Sequence, residues 1–242
     1  PLGREVELRR VTLDAQGRLA LPEDLCRRYG LDQGEDFLVG KTESGLALLP
    51  LRPDVHKVYV EPTTRCNLDC RTCVRNVWDE PLEDMSTSTF ECVLDGLRGL
   101  PDLREVVVGG YGEPLAHPNI LDFLEAIKGL GVKITISTNG VLLNEERGRA
   151  LIDLGVDGIT VSLDGTDPET YADVRRGARL ETVIENTETL NRLKGESGTS
   201  LPRLGIEFVA LKENEAQIAE LPKVAQRLGA NQALVTHVLP HT

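Results

Sequence analysis

From residue 55 onward, short apolar runs alternate with longer amphipathic ones, and this alternation limits the fold more than any other feature of the chain. The pattern predicts strands at 55–60, 103–108, 132–137, 158–163, 204–211 and 232–238. Between them it predicts helices at 87–97, 120–130, 144–154, 180–193 and 215–228. Each helix returns the chain to the same end of the sheet, so the strands are expected to pair in parallel. Apolar runs such as Val106–Val108 suit a sheet covered by helices. The expected fold class is therefore α/β, with six strands and five crossovers. Residues 196–202 are polar and rich in Gly, Ser and Thr, as in a loop. Only four residues follow the sixth strand, which leaves its edge uncovered, so the sequence is expected to be a fragment.

Residues 1–52 have a different texture and are expected to form a small β-rich domain ahead of the one at 53–242. Strands are predicted at 6–11 and 17–21 around a turn at Asp14–Gly17. Pro22 opens a short helix that carries Glu23 and Asp24 in its first turn, runs to Tyr29 and is capped by Gly30. Phe37–Gly40 and Gly45–Pro50 complete a second hairpin. So small a module has little core of its own, and pairing with another copy or another domain is expected.

Composition excludes several functional classes. The net charge of -12 gives no general attraction to nucleic acid or anionic membranes. No run approaches the roughly 18 apolar residues of a membrane span. The start, PLGREVELRR, lacks the apolar core of a signal peptide, so a cytoplasmic location is expected.

Five cysteines are present, and three of them, Cys66, Cys70 and Cys73, fall within eight residues. Asn67, Asp69 and Arg71 lie among them, a setting unlike a hydrophobic core. Cys26 and Cys92, each in a predicted helix, are instead expected to be small buried residues. The C-x3-C-x2-C spacing suits thiolate ligands of an iron–sulfur cluster, in which three thiolates leave one iron open to a chelating molecule. A zinc site is the alternative; it needs a fourth ligand, and His56 is the best placed by sequence.

This cysteine loop resembles the signature of the radical S-adenosylmethionine (SAM) superfamily. The resemblance implies a partial (β/α)6 barrel, with a [4Fe–4S] cluster on Cys66, Cys70 and Cys73 and SAM chelated at the open iron. An electron from a low-potential donor such as ferredoxin or flavodoxin then cleaves SAM to methionine and a 5′-deoxyadenosyl radical. Further segments at strand ends carry the likeness. Gly109-Gly110-Tyr111-Gly112-Glu113-Pro114 resembles the family's glycine-rich motif, which implies that Gly109, Gly110, Gly112 and Glu113 hold the amino group of SAM. Ser137-Thr138-Asn139-Gly140 implies hydrogen bonds from Ser137 and Asn139 to SAM or substrate, although Asn139-Gly140 equally suits a turn. Ser162-Leu163-Asp164-Gly165 implies that Ser162 and Asp164 lie near the ribose or the reaction chamber; Asp164 alternatively caps a helix.

Arg175 stands where relatives pair an arginine with the SAM carboxylate, with Arg176 and Arg179 as competitors. Val209 is expected against the adenine, Glu207 in the chamber or the helix layer, and Thr236 and His237 are further lining candidates. Residues 61–81, 109–118 and 231–242 are similar to a group of tungsten-cofactor oxidoreductase radical SAM maturases. That likeness implies maturation or modification of a tungsten or molybdenum pterin cofactor. A distinctive piece is the run Cys73–Trp78, whose Trp78 either shields the cluster or anchors the loop. No cysteine follows Cys92, so these residues provide for one cluster only.

The stretch 6–50, with Gly17-Arg18-Leu19-Ala20-Leu21-Pro22, resembles the AbrB-type swapped-hairpin domain. That implies a homodimer and, in many relatives, DNA binding. Residues 1–50 carry seven Arg or Lys against nine Asp or Glu, a weak footprint for phosphate contacts. Two other functions remain open: a peptide- or protein-modifying maturase, and a DNA-associated redox-sensing regulator.

Overall fold

A computed structural model of the chain describes residues 10–29, 31, 37–42, 45–50 and 55–237. The chain divides into two compact units, residues 1–54 and 55–242.

In the first unit, Asp14 organises the expected turn. Its Oδ1 accepts from the backbone N–H of Gln16 and Arg18, and Gly17 N donates to the Asp14 carbonyl at 2.9 Å. The flanking segments meet through one antiparallel bridge, Leu13 to Leu19, rather than as two full strands. The predicted strand at 6–11 falls mostly outside the described residues, as does the cap at Gly30. Helix α1 (Glu23–Tyr29) starts just after Pro22. Strands β1 (Phe37–Thr42) and β2 (Gly45–Pro50) form the second hairpin, in register from Phe37–Pro50 to Thr42–Gly45.

The second unit holds six parallel strands in sequence order: β3 (Lys57–Val60), β4 (Glu105–Val108), β5 (Lys133–Thr138), β6 (Gly158–Ser162), β7 (Arg203–Ala210) and β8 (Gln232–His237). The crossover helices are α2 (Thr87–Arg98), α3 (Ile120–Lys128), α4 (Glu145–Asp153), α5 (Pro168–Val174) with α6 (Leu180–Glu196), and α7 (Leu221–Arg227). Local chemistry explains several starts. Ser86 Oγ accepts from Thr89 N, Asn144 accepts from Arg147 N, and Asp167 accepts from Glu169 N and Thr170 N ahead of Pro168. Those last two signals mark α5, a helix absent from the expected set. The predicted helix at 215–228 is instead a 3-10 segment, Glu215–Glu220, followed by α7. Pro222 lacks the N–H that a continuous helix needs there, so α7 begins around it.

Alternate strand residues, among them Val106, Val108, Ile134, Ile136, Ile159, Val161, Leu204, Ile206 and Phe208, are buried. With most of them in one core cluster are Phe90 of α2, Phe123 of α3 and Val183 of α6. Phe90 and Phe123 stack with ring centroids 3.8 Å apart. The opposite strand face is concave and polar, presenting Lys57, Tyr59, Glu105, Lys133, Thr135 and Arg203 to a cavity of about 860 Å³. The sheet is thus part of a barrel wall, and among the described residues the helices cover one face. Cys92 is exposed, contrary to expectation, because α2 buries Phe90, Leu94 and Leu97; Cys26 is half-buried.

Candidate active site

The cysteine loop leaves β3 through Glu61-Pro62-Thr63-Thr64 and is held on both sides. Thr63 Oγ1 donates to Asp84 Oδ1 at 2.5 Å, and Met85 N donates to the Pro62 carbonyl at 2.8 Å. Farther along, Asp69 N and Arg71 N donate to the carbonyls of Arg176 and Val174, at the end of α5. Arg71 also pairs with Asp173 at 2.6 Å and Glu213 at 3.0 Å. After Cys73 the chain winds into a 3-10 turn, Val74–Val77.

All three thiols line one cavity of about 610 Å³ at the carboxyl end of the sheet. Each sulfur meets at least one nitrogen donor. Leu68 N is 3.4 Å and Asn139 Nδ2 3.6 Å from Cys66, Arg175 Nη1 is 3.9 Å from Cys70, and Arg75 Nε is 3.3 Å from Cys73. Burial pushes the Cys66 and Cys70 thiols up from their ordinary values, and the neighbouring cations and donors act against it.

The glycine-rich segment crosses this loop at close range. A Cβ on Gly112 would collide with the carbonyl oxygen of Thr63 and stand 2.8 Å from that of Arg65. Glu113 N in turn donates to Arg65 O at 2.8 Å. A Cβ on Gly109 would lie 2.9 Å from Ser137 Cβ, so this glycine lets the ends of β4 and β5 close together. Gly110 and Gly112 line the cavity, whereas Gly109 acts from behind its wall. Glu61, which sequence reasoning did not select, holds the segment from the β3 side. Its Oε1 accepts from Tyr111 N at 2.5 Å and Gly112 N at 3.0 Å.

Glu113 lines the cavity yet is almost wholly buried. Its Oε1 accepts from Leu115 N at 3.0 Å and Thr138 Oγ1 at 2.7 Å, and its Oε2 from Asn139 N at 2.7 Å. Burial pushes this carboxyl above the usual range, and the three donors oppose the shift. Glu113 therefore positions the β5 end, and Oε2, with one partner, keeps acceptor capacity. Asn139 spends its amide on the cysteine loop, donating to Asn67 Oδ1 at 2.9 Å as well as to Cys66.

Asp164, expected near the chamber, is fully buried and does not line the cavity. It binds Arg175 Nε at 2.6 Å through Oδ2 and accepts from Val209 N at 2.8 Å through Oδ1. Asp164 thus ties the ends of β6 and β7 to Arg175 and acts through them. Burial opposes the charge of Arg175, but the Asp164 carboxylate outweighs it and pushes the guanidinium above its ordinary value. Of the three arginines in competition, Arg175 lines the cavity; Arg176 and Arg179 do not. Ser137, Ser162, Glu207, Val209, Thr236 and His237 complete the wall. Trp78 makes an edge contact, 5.8 Å between centroids, with Tyr111, a cavity residue; it joins two loops.

Three soft thiols in one loop are the donor chemistry of an iron–sulfur cluster, whereas a zinc site needs a fourth ligand. His56 immediately precedes β3 at its amino end, roughly 13 Å of strand from Val60, at which the cysteine loop departs. His117 is occupied by Met85 O and Asn119 N. Among the described residues, no three His, Cys, Asp or Glu side chains converge on a single ion. The buried Tyr171 hydroxyl has no hydrogen-bond partner among the described residues, and burial pushes it up from its ordinary value.

Comparison with known proteins bears on the family. The model of the radical SAM superfamily matches residues 60–223, more than half of the chain. The chain is 37% identical over 186 residues to the tungsten-containing aldehyde ferredoxin oxidoreductase cofactor-modifying protein of Pyrococcus furiosus, covering 76% of this chain and 52% of that one. It is 33% identical over 144 residues to the GTP 3',8-cyclase of Chlorobaculum tepidum, covering 57% and 41%. Among solved structures it resembles Streptococcus suis SuiB bound to the precursor peptide SuiA, with a TM-score of 0.62 at 22% identity, over 76% of this chain and 39% of that one. The chain therefore spans about half the length, or less, of these relatives.

Proposed function

This chain belongs to the radical SAM superfamily, and from that premise we propose that its cavity binds a [4Fe–4S] cluster on Cys66, Cys70 and Cys73 together with SAM. The observation that carries the reading is that three thiols from one loop and the glycine-rich segment of β4 line a single cavity. Such a cluster, bound and reduced by a low-potential donor such as ferredoxin or flavodoxin, would supply the electron for reductive cleavage of SAM and, through it, hydrogen abstraction from substrate.

The protein's own residues bind and orient. Glu113 Oε2 would accept from the SAM ammonium, beside the backbone of Gly110 and Gly112. Arg175, oriented by Asp164, would meet the carboxylate. Ser137 and Ser162 offer hydroxyls along the wall, and Val209, whose backbone is fixed by Asp164, gives the adenine an apolar surface. Asn139 keeps Cys66 in place.

The substrate we propose is a tungsten or molybdenum pterin cofactor. Support comes from the similarity to the Pyrococcus furiosus protein, which spans 186 residues. The hairpin of β1 and β2 exposes Leu38, Val39 and Leu46, and we propose that a second copy of the chain covers them.

The test is anaerobic reconstitution followed by assay for 5′-deoxyadenosine from SAM, with Cys70→Ala as control. Product from the parent alone supports the reading. A pterin substrate should raise turnover, and stimulation by a peptide instead would reassign the substrate. A parent that takes up no iron and no SAM would refute the cluster assignment.

A further inference from the structure

We propose that Arg75 is a positioning residue that fixes the third cysteine and raises the reduction potential of the cluster held by the loop. The inference rests on the cluster assignment above and adds to it.

Arg75 lies in the 3-10 turn just past Cys73, and its side chain folds back over the loop. All three guanidinium nitrogens are engaged. Nε donates to Cys73 Sγ at 3.3 Å, Nη2 to the Leu68 carbonyl at 2.7 Å, and Nη1 to the Thr64 carbonyl at 3.5 Å. One planar fork thus joins the chain before Cys66, the chain between Cys66 and Cys70, and the sulfur of Cys73. A lysine offers a single point of charge and cannot span these three acceptors.

The charge has an unusual set of partners. Neighbouring arginines are matched by carboxylates: Arg65 by Asp84, Arg71 by Asp173 and Glu213, Arg175 by Asp164. Burial works against the charge of Arg75, and the groups that favour it are the cysteines, Cys73 first through its hydrogen bond, then Cys66 and Cys70. Arg75 also lines the cavity, half-buried, where solvent screens its field less than at an open surface.

Reduction adds one electron, supplied by a low-potential reductant, to a group that already carries the negative charge of its thiolates. A fixed cation with an N–H on one thiolate stabilises the reduced form more than the oxidised one. Net charge and hydrogen bonds to sulfur are established determinants of such potentials. Removing the cation should therefore make the cluster harder to reduce.

The experiment compares the full parent chain with Arg75→Gln and Arg75→Lys, each reconstituted anaerobically. Photoreduced deazaflavin is the reductant, and the reduced fraction is read by EPR at fixed potentials. Arg75→Gln should take up iron and sulfide as the parent does, yet show about a tenfold lower ratio of reduced to oxidised cluster at the parental midpoint, equivalent to about 59 mV for one electron. Arg75→Lys should recover at least half of that shift. If Arg75→Gln loads no cluster while Arg75→Lys loads one that titrates near the parent, the charge is required and the proposal stands. A parental titration in Arg75→Gln, or failure of both variants to load, would leave Arg75 as a loop brace alone and overturn it. Failure of the parent to load iron refutes the cluster assignment itself, a result distinct from these.

Discussion

Replacing Asp164 by Asn should destabilise the larger unit strongly, although the change alters one atom. Asp164 is fully buried, and Arg175, its partner at 2.6 Å, has only 13% of its side chain exposed. Asn retains one oxygen, which can serve either Val209 N or Arg175 Nε, and its amide then faces the remaining donor. Breaking a buried pair from one side costs about 3–5 kcal/mol, mostly because the stranded charge stays desolvated. In a domain of this size each kcal/mol moves Tm by about 2–4 °C, so a fall of about 6–20 °C is expected. Calorimetry on the full chain, following the transition of the larger unit, measures it. Adding Arg175→Met removes the stranded guanidinium, while the introduced amide oxygen can still accept from Val209 N, so the double variant should regain about half of the loss. Asp164→Asn melting within about 2 °C of the parent, or a double variant no more stable than the single one, would refute the account.

Other substitutions separate the remaining roles. Gly112→Ala places a methyl against the carbonyls of Thr63 and Arg65, so iron uptake on reconstitution should fall sharply while far-UV circular dichroism stays near that of the parent. Glu61→Ala leaves Tyr111 N and Gly112 N without their acceptor, at about 1–3 kcal/mol for each group left dry; SAM affinity measured by calorimetry should weaken. Phe90→Ala opens the stack on Phe123 and should cost about 3–5 kcal/mol in denaturant titration, with the iron content of the folded fraction unchanged. His56→Ala should load iron like the parent, since His56 lies at the amino end of β3; lost metal binding would revive the zinc alternative.

What could be read from the chain alone was local. Periodicity gave the strands and most helices, and the spacing of Cys66, Cys70 and Cys73 together with the glycines at 109, 110 and 112 pointed to one site. Even the unpredicted α5 carried its own signals in Asp167 and Pro168. These features are legible because capping, pleat period and ligand spacing depend on residues a few positions apart. Strand register and loop crossing decided the rest. Glu61 reaches Gly112 across 51 positions and Arg175 approaches Cys70 across 105, contacts that no local pattern encodes. Asp164 was expected near the chamber because residues 162–165 resemble a family segment. That likeness carries no information on the direction of its side chain, which turns to Arg175 and Val209 N. His56 seemed near the cysteines in sequence, yet one strand length carries it to the other end of the sheet. The polar inner face of the strands was likewise hidden within apolar runs, since only the curvature of the assembled sheet separates the wall that helices cover from the wall that lines a cavity.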